Sequence, residues 1–82
     1  MPVWAIEIIF PNEVGFKIER KALEYQKAGV QVLWQIYPDL RMVQVRASLR
    51  STHICWEEDE CTAARALPDM KLKVNELFGP IG

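Results

Sequence analysis

Two charged residues have the types and the placing to do chemistry together. Glu7 lies inside the apolar run Pro2-Val-Trp-Ala-Ile-Glu-Ile-Ile-Phe10, and Lys21 lies on the next amphipathic stretch, three residues after Ile18 and four before Tyr25. A carboxylate in an apolar strand loses hydration and needs a cation, a set of hydrogen bonds or a proton. A short loop joins the two stretches, so a helix over the second packs back onto the strand. A lysine bordering the helix's buried stripe then reaches the face that carries Glu7. Such a pair suits phosphodiester hydrolysis. The carboxylate and a neighbouring backbone carbonyl hold Mg²⁺, which polarises the phosphate and acidifies a water. The lysine stabilises charge or positions that water. Two oxygens alone make a weak magnesium site, and such sites usually add another carboxylate. Each residue also has a plain structural reading. Glu7 at an open sheet edge is simply hydrated, and Lys21 lays its stem on the core with its head in water.

Other constellations carry less. His53, Cys55 and Cys61 invite a zinc reading, but the spacing H-x-C-x5-C lacks the paired knuckles of structural sites and offers no fourth ligand. Two small core cysteines and a loop histidine are the simpler account. Nothing near His53 would orient it for a Cys–His nucleophile pair, and no glycine-rich phosphate loop occurs. Between Glu13 and Arg50 seven basic residues stand against four acidic ones. That mild excess is compatible with phosphate contacts and with an ordinary surface.

The elements that must position Glu7 and Lys21 follow from periodicity. The first run is apolar on both faces, with Trp4, Ile6, Ile8 and Phe10 on one side and Val3, Ala5, Glu7 and Ile9 on the other. Such a strand is expected in the middle of a covered sheet. Pro11 to Gly15 breaks the pattern. A helix is expected from Phe16 to Ala28, with Ile18, Ala22 and Tyr25 as its apolar stripe and Gly29 as its C-terminal glycine. Val30–Ile36 and Met42–Ala47 read as a hairpin around the turn Tyr37-Pro38-Asp39-Leu40-Arg41. In the second of these strands Val43, Val45 and Ala47 are expected inward, and Gln44 and Arg46 outward. A right-handed crossover makes the first two strands parallel. Ser48–Ala66 is less regular, with a short strand at Thr52–Trp56 and a solvated acidic turn at Glu57–Glu60. Ala66–Met70 reads as a break, Lys71–Val74 alternates, and Asn75–Phe78 allows one helical turn before Gly79-Pro80.

These same segments carry a family resemblance. The run Pro2–Asn12, then Lys21-x-x-x-Tyr25, Gly29-Val30, Trp34-Gln-Ile-Tyr-Pro-Asp39, Val43-x-Val45, Leu67-Pro68 and Glu76-Leu-Phe78, resembles in order the Uma family of restriction-endonuclease-like proteins. The resemblance runs along nearly the whole chain. It implies the PD-(D/E)xK nuclease fold, a mixed sheet flanked by helices, often dimeric, acting on DNA with Mg²⁺. In that pattern Glu7 is the acidic residue of the E-x-K strand and Ile9 stands where the usual lysine would be. The lysine has moved to the helix as Lys21, and the Ile8 carbonyl is the backbone metal ligand. The sequence also departs from the family. No Asp precedes Glu7, and the family's first half, with its metal-binding aspartate strand, has no counterpart. Val3 and Phe10-Pro11-Asn12 stand where the family often has Asp and Ser-Pro-Ser.

The resulting expectation is one domain over residues 1–82, apparently truncated at its N-terminus. Its class is α/β or α+β: part of a restriction-endonuclease-like mixed sheet, ordered strand-helix-strand-strand with short C-terminal elements. Glu7 and Lys21 are the catalytic candidates, and Glu7 and Ile8 the metal ligands. DNA, a second copy of the chain or a separate upstream segment are the expected partners, and activity of this chain alone is expected to be weak or absent. The alternative is a non-catalytic oligomerisation module derived from the same fold. Half the residues are hydrophobic and the net charge is −1. That composition is globular and gives no general pull toward nucleic acid or anionic membrane. No apolar run has the length of a membrane span and no secretion signal accompanies the cysteines, so free thiols and a cytoplasmic location are expected.

Overall fold

A computed structural model of the chain describes residues 4–48, 50–63 and 67–79. Pro2, Val3, Ala66 and Pro80, named in the expectations above, lie outside them. The architecture is mixed α+β. Strand β1 (Trp4–Ile8) leads to helix α1 (Gly15–Lys27), then β2 (Val32–Tyr37), a 3-10 turn (Pro38–Leu40), β3 (Met42–Ser48) and β4 (Ser51–Trp56). Strands β5 (Glu60–Ala63) and β6 (Leu67–Lys73) and helix α2 (Val74–Phe78) follow. The main sheet has the order β1-β2-β3-β4, and β5 and β6 form a separate pair.

The crossover and the hairpin form as their patterns dictate. β1 and β2 run parallel with Glu7 opposite Gln35, and β2 and β3 run antiparallel with Gln35 opposite Gln44. Helix α1 seats Ala22 on the sheet at 1% exposure. Gly29 ends the helix with a φ of 101°, a conformation that glycine adopts without the clash a Cβ would bring. The other sheet face carries the main core. Val32, Trp34, Ile36, Val43 and Val45 pack there against Cys61 and Val74 from the second layer. Trp34 ties β2 both to the second layer and to β1. Its Nε1–H donates to the Thr62 carbonyl at 3.1 Å, and its ring meets Trp4 edge-on at 5.1 Å.

Three expectations are corrected. Among the described residues β1 is an edge strand, not a central one: its one neighbour is β2. Its doubly apolar character leaves Ile6 and Ile8 about half exposed along that edge. Gln44 and Arg46 do not point to open solvent; they share the helix side of the sheet with Gln35, and the Arg46 side chain is only 13% exposed. From Leu67 onward the expected break is strand β6, paired with β5. Pro68 is compatible because each strand of a two-stranded ribbon has a free edge, where a missing N–H costs no ladder bond. The pairing is irregular between Thr62 and Ala63.

The acidic turn is more than solvated surface. The Asp59 side chain accepts from the Trp56 N–H at 3.0 Å, and the Glu57 carbonyl accepts from the Asn75 N–H at 2.9 Å. Glu58 accepts from the Asn75 side chain at 2.8 Å. The turn therefore meets the orphan donors at the start of α2.

Candidate functional site

The strand-to-helix connection brings Glu7 and Lys21 together. Lys21 Nζ lies 3.0 Å from Glu7 Oε2. The two partners are unequally exposed: the Glu7 side chain is 7% accessible and that of Lys21 is 56%. Glu7 thus sits on an edge strand without being wet, because α1 covers its face. The carboxylate raises the Lys21 pKa above the ordinary lysine value of 10.5, through their hydrogen bond first and their charge attraction second. The second carboxylate oxygen, Glu7 Oε1, is buried with no hydrogen-bond partner among the described residues. A buried polar atom left unmet costs about 1–3 kcal/mol, so this oxygen is a standing invitation to a donor or a cation.

The Ile8 carbonyl can be placed from the sheet pairing. The Ile9 N–H donates to the Ile36 carbonyl at 2.8 Å. Main-chain groups alternate along a strand, so Ile8 turns its own carbonyl to the free edge of β1. Glu7 and Ile8 thus offer one carboxylate and one carbonyl at the same corner of the sheet. Among the described residues no three side chains of His, Cys, Asp and Glu converge on a common point. The His53, Cys55 and Cys61 set therefore gains no metal-holding geometry. Both cysteines are free and buried. Burial pushes both thiols up, Cys61 the further, which keeps them protonated and poor nucleophiles at neutral pH.

Behind Glu7 lies a polar row that sequence reasoning left out. Gln35 faces α1 beside Glu7 and is completely buried. Its Oε1 accepts from Arg46 Nε at 2.7 Å, while Arg46 Nη2 contacts Glu19 Oε1 at 2.6 Å. Its Nε2 has no partner among the described residues. A glutamine in an otherwise apolar strand segment, directly after a buried tryptophan, was the available signal.

Comparison with known proteins now adds to this geometry. No family model and no curated protein matches the chain. A solved structure of a candidate nuclease belonging to DUF820, from Anabaena variabilis ATCC 29413, matches with a TM-score of 0.79 and 29% identity over 94% of this chain. The match covers 44% of that protein, so the present chain spans less than half its length. The fold is therefore nuclease-like, a four-stranded mixed sheet with a helix between its first two strands. Among the described residues, no helix is long and apolar enough to cross a membrane.

Proposed function

We propose that this chain carries the Glu7–Lys21 part of a metal-assisted DNA nuclease site of the Uma type. The observation that carries the reading is the buried carboxylate at the sheet edge, with an ammonium at 3.0 Å on one oxygen and the other oxygen unmet. Glu7 and the Ile8 carbonyl would hold Mg²⁺, whose octahedral shell accepts one or two carboxylates with waters in the remaining positions. When bound, that ion supplies Lewis acidity and lowers the pKa of a coordinated water. The chain's own part is positioning. Buried Glu7 keeps its rotamer under α1, and the half-exposed Lys21 ammonium stays charged and faces the solvent from which a phosphodiester arrives. One carboxylate is half of the usual set. Cleavage by this chain alone is accordingly weak or absent, and a second acidic oxygen comes from a separate segment or another copy.

The test is calorimetric titration of Mn²⁺ and Mg²⁺ into the wild-type chain and Glu7→Ala, with a plasmid-nicking assay alongside. Weak metal binding that disappears in Glu7→Ala is expected. Binding that survives the substitution would move the metal site elsewhere and sink the reading. A second reading, a self-association module, is favoured by the apolar edge itself: Ile6, Ile8 and Phe10 are each more than half exposed.

A further inference from the structure

Glu7 Oε1 and Gln35 Nε2 are a buried acceptor and a buried donor, both unmet among the described residues and not bonded to each other in this structure. They belong to residues paired in register across β1 and β2, strands that lie about 4.8 Å apart in any sheet. Which end of the Gln35 amide is which follows from chemistry. Arginine has donors only, so the atom that Arg46 Nε approaches at 2.7 Å must be the amide oxygen. Arg46 reaches Gln35 from β3, which draws the carbonyl end toward β3 and leaves the NH₂ end toward β1. Arg46 is itself held by Glu19 of α1. The chain Glu19–Arg46–Gln35 thus aims a donor at the strand that bears Glu7.

We propose that Gln35 is a positioning residue: a small side-chain adjustment brings its amide NH₂ onto Glu7 Oε1, and with Lys21 on Oε2 this fixes the carboxylate in one orientation. The proposal rests on the reading of Glu7 as the site carboxylate. A carboxylate accepts at about four lone-pair positions, so one bond from Gln35 and one from Lys21 still leave positions for a cation. Partners that orient a metal ligand in this way typically change metal affinity by about 10- to 100-fold when removed. Gln44, opposite Gln35 on β3, is the competing neighbour and serves as the control.

The experiment combines side-chain amide NMR with Mn²⁺ titration. In ¹⁵N-glutamine-labelled protein, the Gln35 NH₂ signals should be protected from exchange, should shift in Glu7→Gln and should lose protection in Arg46→Met. They should stay in place in Gln44→Ala. Gln35→Met, of similar length and without a donor, should keep the fold and weaken Mn²⁺ binding by about tenfold. A Gln35 amide indifferent to Glu7→Gln overturns the proposal, even where Mn²⁺ binds. A Gln35 amide that responds in a protein that binds no Mn²⁺ upholds the positioning of Glu7 and overturns the metal reading instead. The response of the Gln35 amide to Glu7→Gln decides the matter should Gln35→Met fail to fold.

Discussion

At the scale of single residues, the Glu7–Lys21 pair is asymmetric, and that sets its behaviour. The carboxylate is buried and the ammonium is more than half exposed. Removing the lysine strands a charge in the interior, whereas removing both leaves an apolar patch that packs without penalty. Lys21→Met is therefore expected to destabilise the protein at neutral pH, and the added change Glu7→Met to restore stability. Urea unfolding of the two variants checks this. The pH dependence has a definite sign. Lys21 is raised above 10.5 in the folded state, so the folded chain holds its proton more tightly than the unfolded one. The stability this contributes is full below 10.5 and declines as pH rises through the raised value. Wild-type stability should fall over that alkaline window and Lys21→Met should not show this part of the fall. A parallel loss in both would place the titration elsewhere. The cysteines, also raised, lose stability in the same direction from 9.0 upward, so the comparison needs the lysine variant and cannot rest on the wild type alone.

At the scale of elements, two layers are held to opposite faces of one sheet. Helix α1 covers Glu7, Gln35 and Arg46; β5, β6 and α2 cover Trp34 and its neighbours. Trp34 Nε1 is a part-buried polar tie between the sheet and the second layer. Trp34→Phe keeps most of the apolar contact and removes that tie, leaving the Thr62 carbonyl short of a donor. A loss of about 1 kcal/mol is expected in denaturant unfolding, against about 3–5 kcal/mol for Trp34→Ala. No loss in Trp34→Phe would show that packing alone holds the second layer to the sheet. This two-sided arrangement also explains what was legible in the sequence. The first strand, the helix with its glycine end and the hairpin follow from periods of 2 and 3.6 and from turn residues, all of which are local. Glu7 and Lys21 could be placed together because a short loop leaves the helix one place to pack. Gln44 and Arg46 were read as solvent-side because alternation sorts residues onto two faces and does not tell which face another layer covers. β6 was missed because Pro68 reads as a breaker, and its tolerance depends on an edge that the ribbon pairing creates. The edge position of β1 stood only as the alternative to a central one because doubly apolar strands are usually central, and sheet order is a nonlocal property.

At the scale of the whole molecule, the free edge of β1 decides between the two functional readings. Trp4, Ile6 and Ile8 turn their main-chain groups to that edge, no lysine or proline interrupts Trp4–Ile8, and the one charge there is folded back to Lys21. Edges without such interruptions pair with other strands. A second copy offers the same edge, and two-fold antiparallel pairing of β1 with its partner would extend four strands to eight and bring the exposed isoleucines together. The self-association reading predicts a concentration-dependent dimer in analytical ultracentrifugation. Ile8→Lys should shift it to monomer with an unchanged melting curve, and Glu7→Ala should leave it assembled. A wild-type chain that stays monomeric at every concentration would end that reading. The two readings also compete physically. Self-pairing would engage the Ile8 carbonyl with a partner N–H, the oxygen that the metal reading needs beside Glu7. Mn²⁺ should therefore bind better to Ile8→Lys than to the wild type at high protein concentration, by as much as the wild type is dimeric, since a ligand that binds one state draws the equilibrium toward it. If instead Mn²⁺ strengthens the dimer, the missing oxygen is supplied across the interface, and assembly completes the site instead of closing it.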